Sequence, residues 1–355
     1  MRPARLATMA CALVALGLPG VARAAGATAG FQPAAVSFIS PSWGVALGAV
    51  SCQAGQACQA RLRFTTDGGA SWHIMHAPRA VVNGPGATIG SVLFATLADG
   101  WLYRPAGPAL WFTRDGGAQW RQVSLGGAID AMAANARTAY AVVSTGGTTA
   151  ELFTSPVGRA AWTPVSAVKV NPFTGLAVFG RSVWVTSSAR LFTSADGTHW
   201  HQYALACPQP TPRYTIAGVA AASPAAVVFI CLHQPAGDSQ TRELLTSSDG
   251  GKTTLFVGEP APLGLHSVIA TPPGQPAIIT ILSWSDENFM YRSVTGGRTW
   301  RDLNQLDTGG LPWNSLSYVS ASTGWVVLGG LAEAAGYPRL LKTINSGHTW
   351  RAVRF

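Results

Sequence analysis

Four aspartates recur along the chain in nearly the same local sequence, and their spacing is the first hint of chemistry. Asp67, Asp115, Asp196 and Asp249 each stand two residues after Ser or Thr and directly before Gly. Paired carboxylates hydrolyse glycosides, and clustered ones bind metal ions. Side chains of Asp, Ser and Thr in tight turns instead bond to the nearby backbone. Because the four aspartates occupy the same position of one repeated motif, we predict that they close turns and do not catalyse.

The motif is an eight-residue repeat, named the octad here, with the consensus Thr/Ser-x-Asp-Gly-Gly-x-x-Trp. Seven copies end at residues 72, 120, 162, 200, 254, 300 and 350, so the repeat is distributed along nearly the whole mature chain. Thr254 replaces the Trp in one copy, whereas Thr295 and Asn345 replace the Asp in two others. The copy at 154–162 is the weakest. A motif repeated at this interval predicts an architecture built from repeated units.

Each octad follows a run that is typical of a β-strand, such as Arg61–Phe64 or Leu110–Phe112. Two further apolar runs lie upstream, for example Val36–Ile39 and Val45–Val50, and a strand follows the Trp. Each unit therefore predicts four short strands joined by tight turns. Seven such units predict an all-β fold, a seven-bladed β-propeller of four-stranded antiparallel blades. A two-sheet sandwich is the competing all-β architecture, but it does not require a turn motif repeated seven times.

The octad resembles the Asp-box, also called the BNR repeat, whose pattern is S-x-D-x-G-x-T-W. The segments Trp43–Gly48 and Gly324–Gly329 also resemble the photosystem II assembly and stability factors and their bacterial relatives. This resemblance implies that residues 25–355 form one propeller of the sialidase-like superfamily. It also implies a non-catalytic binding protein, since an actual photosystem factor binds an assembling membrane subunit through an arginine patch. Sialidases, xyloglucan-cleaving propellers and sortilin-type receptors also use the repeat.

The first 24 residues have the pattern of a secretory signal peptide. Arg2 and Arg5 precede the apolar run Leu6–Leu18, and Ala22–Ala24 fits a cleavage site. The apolar run is too short to cross a bilayer, and no later run approaches the length of a membrane span. We therefore expect an exported protein, periplasmic or extracellular, that has no membrane span and is a monomer.

Cysteine usage agrees with export. Once Cys11 is removed with the signal peptide, Cys52, Cys58, Cys207 and Cys231 remain, an even number in an oxidising compartment. Four cysteines allow three pairings, and four free thiols are the alternative. The short loop between Cys52 and Cys58 favours that disulfide together with Cys207–Cys231.

The topology of a four-stranded blade indicates where binding residues lie. The first and third turns share one face of the disc, the octad face; the second turns and the connections between blades form the opposite loop face. Irregular segments concentrate on the loop face, where variable loops on a rigid scaffold usually bind ligands. Arginine and aromatic residues anchor interfaces, which gives five candidate contacts: Arg104, Arg213, Tyr214, Trp284 and Tyr337. Loop packing is the alternative role for the aromatic residues.

Arginines at 79, 104, 213, 242 and 339 could gather on the loop face and bind a carboxylate or a phosphate. Ordinary surface solvation is their alternative role. The net charge of +9 favours an anionic surface or partner. The predicted ligand is a protein, a peptide or a glycan. We expect no nucleic-acid partner, because the protein is exported and no basic-aromatic module is present.

A glycoside hydrolase is the alternative function. Asp286 and Glu287 are its candidate catalytic carboxylates, because both fall on the loop face. A sialidase resemblance would add three arginines and an F/Y-R-I-P motif near the start of the propeller. Tyr103-Arg104-Pro105 lacks the Ile and lies in the second unit. No histidines, cysteines and acids stand at zinc-site spacing, so neither a metal nor another cofactor is expected.

Overall fold

The computed structural model describes residues 30–50, 52, 56–82, 86–146, 149–205, 207, 215–232, 239–260, 264–285, 288–303, 313–329 and 339–355. The predicted signal peptide at 1–24 lies outside them. The described residues form seven four-stranded antiparallel blades arranged in a ring, and no helix occurs among them. The fold is therefore a seven-bladed β-propeller, as the sequence predicts.

The first three blades are contiguous in sequence. The chain starts with β1 (Phe31–Phe38), β2 (Gly44–Val50), β3 (Cys58–Gln59), β4 (Arg61–Thr65), β5 (His73–Met75) and β6 (Val81–Val82). Strands β3 and β6 pair with each other, and the other four form blade 1. Blade 2 consists of β7 (Ser91–Phe94), β8 (Gly100–Tyr103), β9 (Leu110–Thr113) and β10 (Arg121–Val123). Blade 3 consists of β11 (Ala128–Ala134), β12 (Thr138–Ser144), β13 (Ala150–Pro156) and β14 (Thr163–Val170).

The remaining four blades follow the same order. Blade 4 consists of β15 (Phe173–Phe179), β16 (Ser182–Ser187), β17 (Arg190–Ser194) and β18 (Trp200–Ala204). Blade 5 consists of β19 (Thr215–Ala221), β20 (Val227–Leu232), β21 (Arg242–Ser247) and β22 (Leu255–Gly258). Blade 6 consists of β23 (His266–Ala270), β24 (Ile279–Trp284), β25 (Asn288–Ser293) and β26 (Arg301–Asp302). Blade 7 consists of β27 (Trp313–Tyr318), β28 (Gly324–Leu328), β29 (Arg339–Thr343) and β30 (Arg351–Val353).

The core lies between neighbouring blades. The second strand of a blade is buried on both faces, and all four residues of β8 and all five of β28 are buried. Such strands are continuous apolar runs without alternation, because both faces contact a neighbouring blade. The outermost strands of blades 2, 6 and 7 have two or three residues, are mostly exposed and begin with a charged arginine, Arg121, Arg301 or Arg351. Short, charged edges discourage pairing with other chains.

Side chains close the ring, without exchange of a strand between the ends. Blade 1 and blade 7 each take all four strands from one stretch of chain. The rings of Phe38 and Trp325 stack with their centroids 3.6 Å apart. The C-terminal Phe355 contacts Phe31 and Trp72, with centroids 4.7 and 4.5 Å away. These aromatic contacts form the seam between blade 7 and blade 1.

Both predicted disulfides are present, Cys52–Cys58 and Cys207–Cys231. The first lies in the connection between β2 and β4. The second joins the connection that follows blade 4 to β20 of blade 5, so it links two blades covalently. No helix among the described residues is both long and apolar enough to cross a bilayer.

Candidate functional site

The octads fold into turns that their own side chains close. In blade 1, the Thr65 hydroxyl donates to Asp67 Oδ1 at 2.8 Å, and the Gly69 N–H donates to Thr65 Oγ1 at 2.8 Å. The backbone N–H of Ser71 then donates to Asp67 Oδ1 at 2.9 Å, and its hydroxyl to Oδ2 at 2.6 Å. The same network surrounds Asp249, and Asp115 keeps all of it except the hydroxyl bond to Oδ2, since Gln119 replaces the serine. The octad aspartates accept bonds from their own turns.

These hydrogen bonds stabilise the ionised carboxylates. Donors from Ser71 and Thr65 hold the pKa of Asp67 well below its usual range. The side chain and the backbone of His199 do the same for Asp196. The backbone N–H and the hydroxyl of Thr253 lower the pKa of Asp249 to about 2. A general acid needs the opposite shift, a pKa raised toward neutrality, so these carboxylates are poor proton donors.

The two octads without Asp keep the turn with neutral side chains. The Thr299 N–H donates to Thr295 Oγ1 at 2.9 Å, and the Thr349 N–H donates to Asn345 Oδ1 at 2.9 Å. An oxygen acceptor at this position is therefore sufficient to close the turn, and a charge is not required. Several octads also form a backbone hydrogen bond to the first turn of their own blade. In blade 1, for example, the Gly68 N–H donates to the Ser42 carbonyl at 2.7 Å.

The loop face above blades 1 and 2 carries ordered structure outside the blades, named the loop platform here. It consists of the Cys52–Cys58 disulfide, the two-stranded sheet of β3 and β6, and the bridge that joins Val82 to Ile89. Val82 and Ile89 are fully buried in the same apolar cluster as the strands of blade 1. Apolar contacts therefore fix the platform to the ring, and the disulfide and the β3–β6 pairing cross-link it internally.

Arg104 lies at the edge of the loop platform. Its Nη1 donates to the Ala87 carbonyl at 2.7 Å, while the side chain stays exposed. This bond orients the guanidinium over the platform without burying it.

Trp284 lies on the loop face at the end of β24, in blade 6. The structure places it half-buried against His266, with ring centroids 5.2 Å apart. Because it also contacts the apolar cluster of blades 6 and 7, its position fits loop packing. Blade 6 and blade 2 stand on different sides of the ring, so Trp284 and Arg104 do not form one site.

Arg242 is buried and has no surface role, contrary to the expectation that it joins an exposed arginine cluster. It is 0% exposed. Its Nε donates to Ser267 Oγ at 2.7 Å, and its Nη2 donates to the Gly264 carbonyl at 2.5 Å and to Ser283 Oγ. Burial lowers the pKa of the guanidinium to about 10. Arg242 therefore joins blade 5 to blade 6, and no local sequence pattern marks this role.

Five of the other predicted site residues lie outside the described residues: Arg213, Tyr214, Asp286, Glu287 and Tyr337. They stay predictions. Several other carboxylates on the described part of the chain bind neighbours on their own blade. Asp99 accepts from the Thr96 hydroxyl at 2.7 Å, Asp130 accepts from Ser144, and Glu151 pairs with Lys169 at 3.2 Å. No cluster of three metal-ligating side chains occurs among the described residues.

Two grooves open between blades on the octad side, opposite the face on which the sequence places the candidate binding residues. A groove of about 560 Å³ separates β10 from the octad of blade 3, and Arg114, Arg121 and Arg159 line it. A second groove of about 340 Å³ lies at the seam, with Lys342, Arg351 and Arg354 along one wall. The arginine that follows the octad Trp in blades 2 and 7 is the sequence signal that both grooves share.

Solved structures similar to this chain are propellers at low sequence identity. YCF48 bound to a D1 peptide is 16% identical with a TM-score of 0.55, covering 90% of this chain and 94% of that one. YCF48 from Cyanidioschyzon merolae is 14% identical with a TM-score of 0.58, at 90% and 97% coverage. The N-terminal domain of Nup159 is 13% identical with a TM-score of 0.52, at 91% and 89% coverage. No family model and no curated protein matches the sequence. These similarities establish the fold.

Proposed function

We propose that this protein is an exported, monomeric, non-catalytic binding module of the Asp-box class that captures a protein or peptide segment on its loop face. The loop platform is the observation that carries the proposal. A disulfide, a two-stranded sheet and buried apolar contacts all fix loops that the ring does not need for its own closure. Rigid loops reduce the entropy lost on binding. Arg104 supplies an exposed guanidinium at the platform edge.

Two further observations support a binding role. The octad carboxylates, which are the obvious acids of the sequence, are held ionised by turn hydrogen bonds. The propeller YCF48, which has a similar fold, has been solved with a D1 peptide bound. By analogy of fold, a peptide is the first ligand class to test here.

The test is selection of peptides from a random displayed library on the purified chain, followed by affinity measurement. We expect Arg104→Ala to weaken the selected peptides about tenfold, the effect of losing one interface anchor. Arg114→Ala, which removes an equally exposed arginine from the octad face, is the matched control and should bind normally. Equal losses in both variants would contradict the loop-face assignment.

A parallel assay addresses the hydrolase alternative. Fluorogenic sialosides and xyloglucan oligosaccharides are incubated with the wild-type chain and with Asp286→Asn and Glu287→Gln variants. Turnover that either substitution abolishes would overturn the non-catalytic assignment and identify those residues as the catalytic carboxylates.

A further inference from the structure

The octads of blades 6 and 7 differ from the others in two ways at once. Thr295 and Asn345 stand where four other octads have Asp, so both turns lose a negative charge. The residue just before is Val294 or Ile344, with exposed fractions of 54% and 66%. The four octads that keep Asp have Thr66, Arg114, Ala195 and Ser248 at that position. Turn closure explains neither the loss of charge nor the exposed β-branched side chain.

Cations surround these two turn tips. Exposed arginines on the same side of blades 6 and 7 are Arg298, Arg301, Arg351 and Arg354. In the described residues of these two blades, Asp302 is the one side-chain carboxylate. We use the name cationic patch for Val294, Arg298, Arg301, Ile344 and Arg351. The octads of blades 6 and 7 supply no acid that would offset these arginines, whereas Asp67 of blade 1 lines the seam groove together with Arg351.

The cationic patch is held rigidly. Arg292 in blade 6 donates from Nε to the Ser346 carbonyl in blade 7 at 2.8 Å. Lys342 in blade 7 donates from Nζ to the Gly68 carbonyl in blade 1 at 2.8 Å. These two bonds fix the octads of blades 6, 7 and 1 relative to one another. Both turn tips are therefore presented on one side of the disc, and Ile344 lines the groove of about 340 Å³ at the seam.

We propose that the cationic patch docks this protein onto the surface of an anionic lipid bilayer. Arginines near such a surface are attracted by lipid phosphates, and each contributes about fivefold in affinity. An apolar side chain on the same face can enter the headgroup region while the long cationic side chains stay with the phosphates. Val294 and Ile344 suit this role, because each stands at the tip of a turn.

A lipid surface fits the cationic patch better than a protein does. The centre of a protein interface is a contiguous, desolvated apolar area rich in aromatic residues. Here the two exposed apolar residues lie on separate turns, and polar residues such as Thr295, Thr299 and Asn345 surround them. A fluid bilayer needs no shape complementarity to accept two separate tips. The net charge, +9 for the full chain and +6 without Arg2, Arg5 and Arg23 of the predicted signal peptide, adds long-range attraction to the same surface.

The experiment is sedimentation of the protein with vesicles of phosphatidylcholine, alone or mixed with phosphatidylglycerol. We expect saturable binding to the mixed vesicles that weakens at high salt. The variant R298Q/R301Q/R351Q should lose affinity on the order of a hundredfold, from three cations. Its matched control, R114Q/R121Q/R159Q, removes three exposed arginines from blades 2 and 3 and should change binding little. Melting temperatures confirm that both variants fold, since all six side chains are exposed.

A second pair of variants tests the turn tips. V294S/I344S should weaken binding to mixed vesicles, whereas I74S/L97S, which removes two exposed apolar residues elsewhere, should not. Equal losses in the two arginine triples, or an unchanged V294S/I344S variant, would overturn the proposal. The proposal would also be overturned if the wild-type protein binds neither type of vesicle but does bind polyglutamate. That result would indicate an acidic protein partner. Peptide capture at Arg104 is measured without vesicles, so the two proposals fail independently.

Discussion

At the scale of single residues, the octad aspartates connect stability to pH. Each has a lower pKa in the folded protein than the value near 4 of an unfolded chain. A lowered folded pKa gives stability that is fully present above the unfolded pKa and is lost as pH falls through the folded value. For Asp249 the folded pKa is about 2. Acid should therefore destabilise the octad turns between about pH 5 and about pH 2.

We predict that the variant D67N/D115N/D196N/D249N has a flatter dependence of melting temperature on pH across this range. The amide oxygen can still accept the turn N–H, as Asn345 does in blade 7, so the variant should fold. The converse substitution, Asn345→Asp, adds a fifth carboxylate in the same geometry and should steepen the dependence. Calorimetry at a series of pH values measures both. Parallel curves for wild type and the fourfold variant would contradict the assignment of acid lability to these turns.

At the scale of elements, the octad turn of blade 6 packs against blade 5, and its two glycines have different roles. Gly296 and Gly297 both have a positive φ, of 67° and 92°. A Cβ added at Gly296 would meet nothing within 4 Å, whereas at Gly297 it would collide with Leu244 of blade 5. The first glycine satisfies the backbone conformation alone. The second also allows close contact between blades.

This difference predicts unequal costs for two neighbouring substitutions. Gly296→Ala should destabilise the protein by about 1 kcal/mol, the cost of a left-handed conformation for a residue with a Cβ. Gly297→Ala should cost a further 1–3 kcal/mol or so, because it overpacks the interface with blade 5. Free energies of unfolding from urea titrations compare them, with Gly296→Ala as the matched control. Equal costs would show that Leu244 moves aside freely.

Sequence predicts the repeated elements well and the unrepeated ones poorly. The octad marks the third turn of each unit, so strand order and the two faces of the disc follow from it, and strand bounds such as Val45–Val50 agree closely with β2. The β3–β6 sheet gives no such signal, because strands of two residues have no periodicity. The buried role of Arg242 depends on Ser267 and Ser283, which are distant in sequence. Contacts of that kind leave no local pattern.

At the scale of the whole molecule, the seam between blades 7 and 1 is the weak point of the ring. Inside each blade, every strand is hydrogen-bonded to its neighbour in a ladder. Across the seam, aromatic contacts such as Phe38–Trp325 and Phe31–Phe355 and the bond from Lys342 to Gly68 hold the ends together. All other neighbouring blades are also joined by the chain itself. We therefore infer that unfolding begins by opening of the seam.

Two circular permutants test this inference, since Phe31 and Phe355 are close enough for a short linker. One opens the chain between Gly126 and Gly127, in the connection from blade 2 to blade 3. Its seam therefore lies between blades 2 and 3, where no continuous strand ladder crosses. The other opens the chain between Gly180 and Arg181, in the turn from β15 to β16. Its two ends then meet within blade 4 through the backbone ladder that pairs Phe179 with Ser182 and continues to Phe173.

The second permutant should unfold more slowly than the wild type, because its ring cannot open without breaking that ladder. The first should unfold at a rate close to the wild type, because side chains and two backbone hydrogen bonds, donated by Ala106 and Ile129, hold its new seam in place of a continuous ladder. Neither cut should disturb packing, because Gly126 and Gly180 lie in open surroundings. A Cβ added at either glycine would meet nothing within 4 Å. Unfolding rates in guanidinium, followed by tryptophan fluorescence, distinguish the three proteins. Equal unfolding rates would mean that the rate-limiting step lies inside a blade. Opening of the seam would then not determine how fast the ring unfolds.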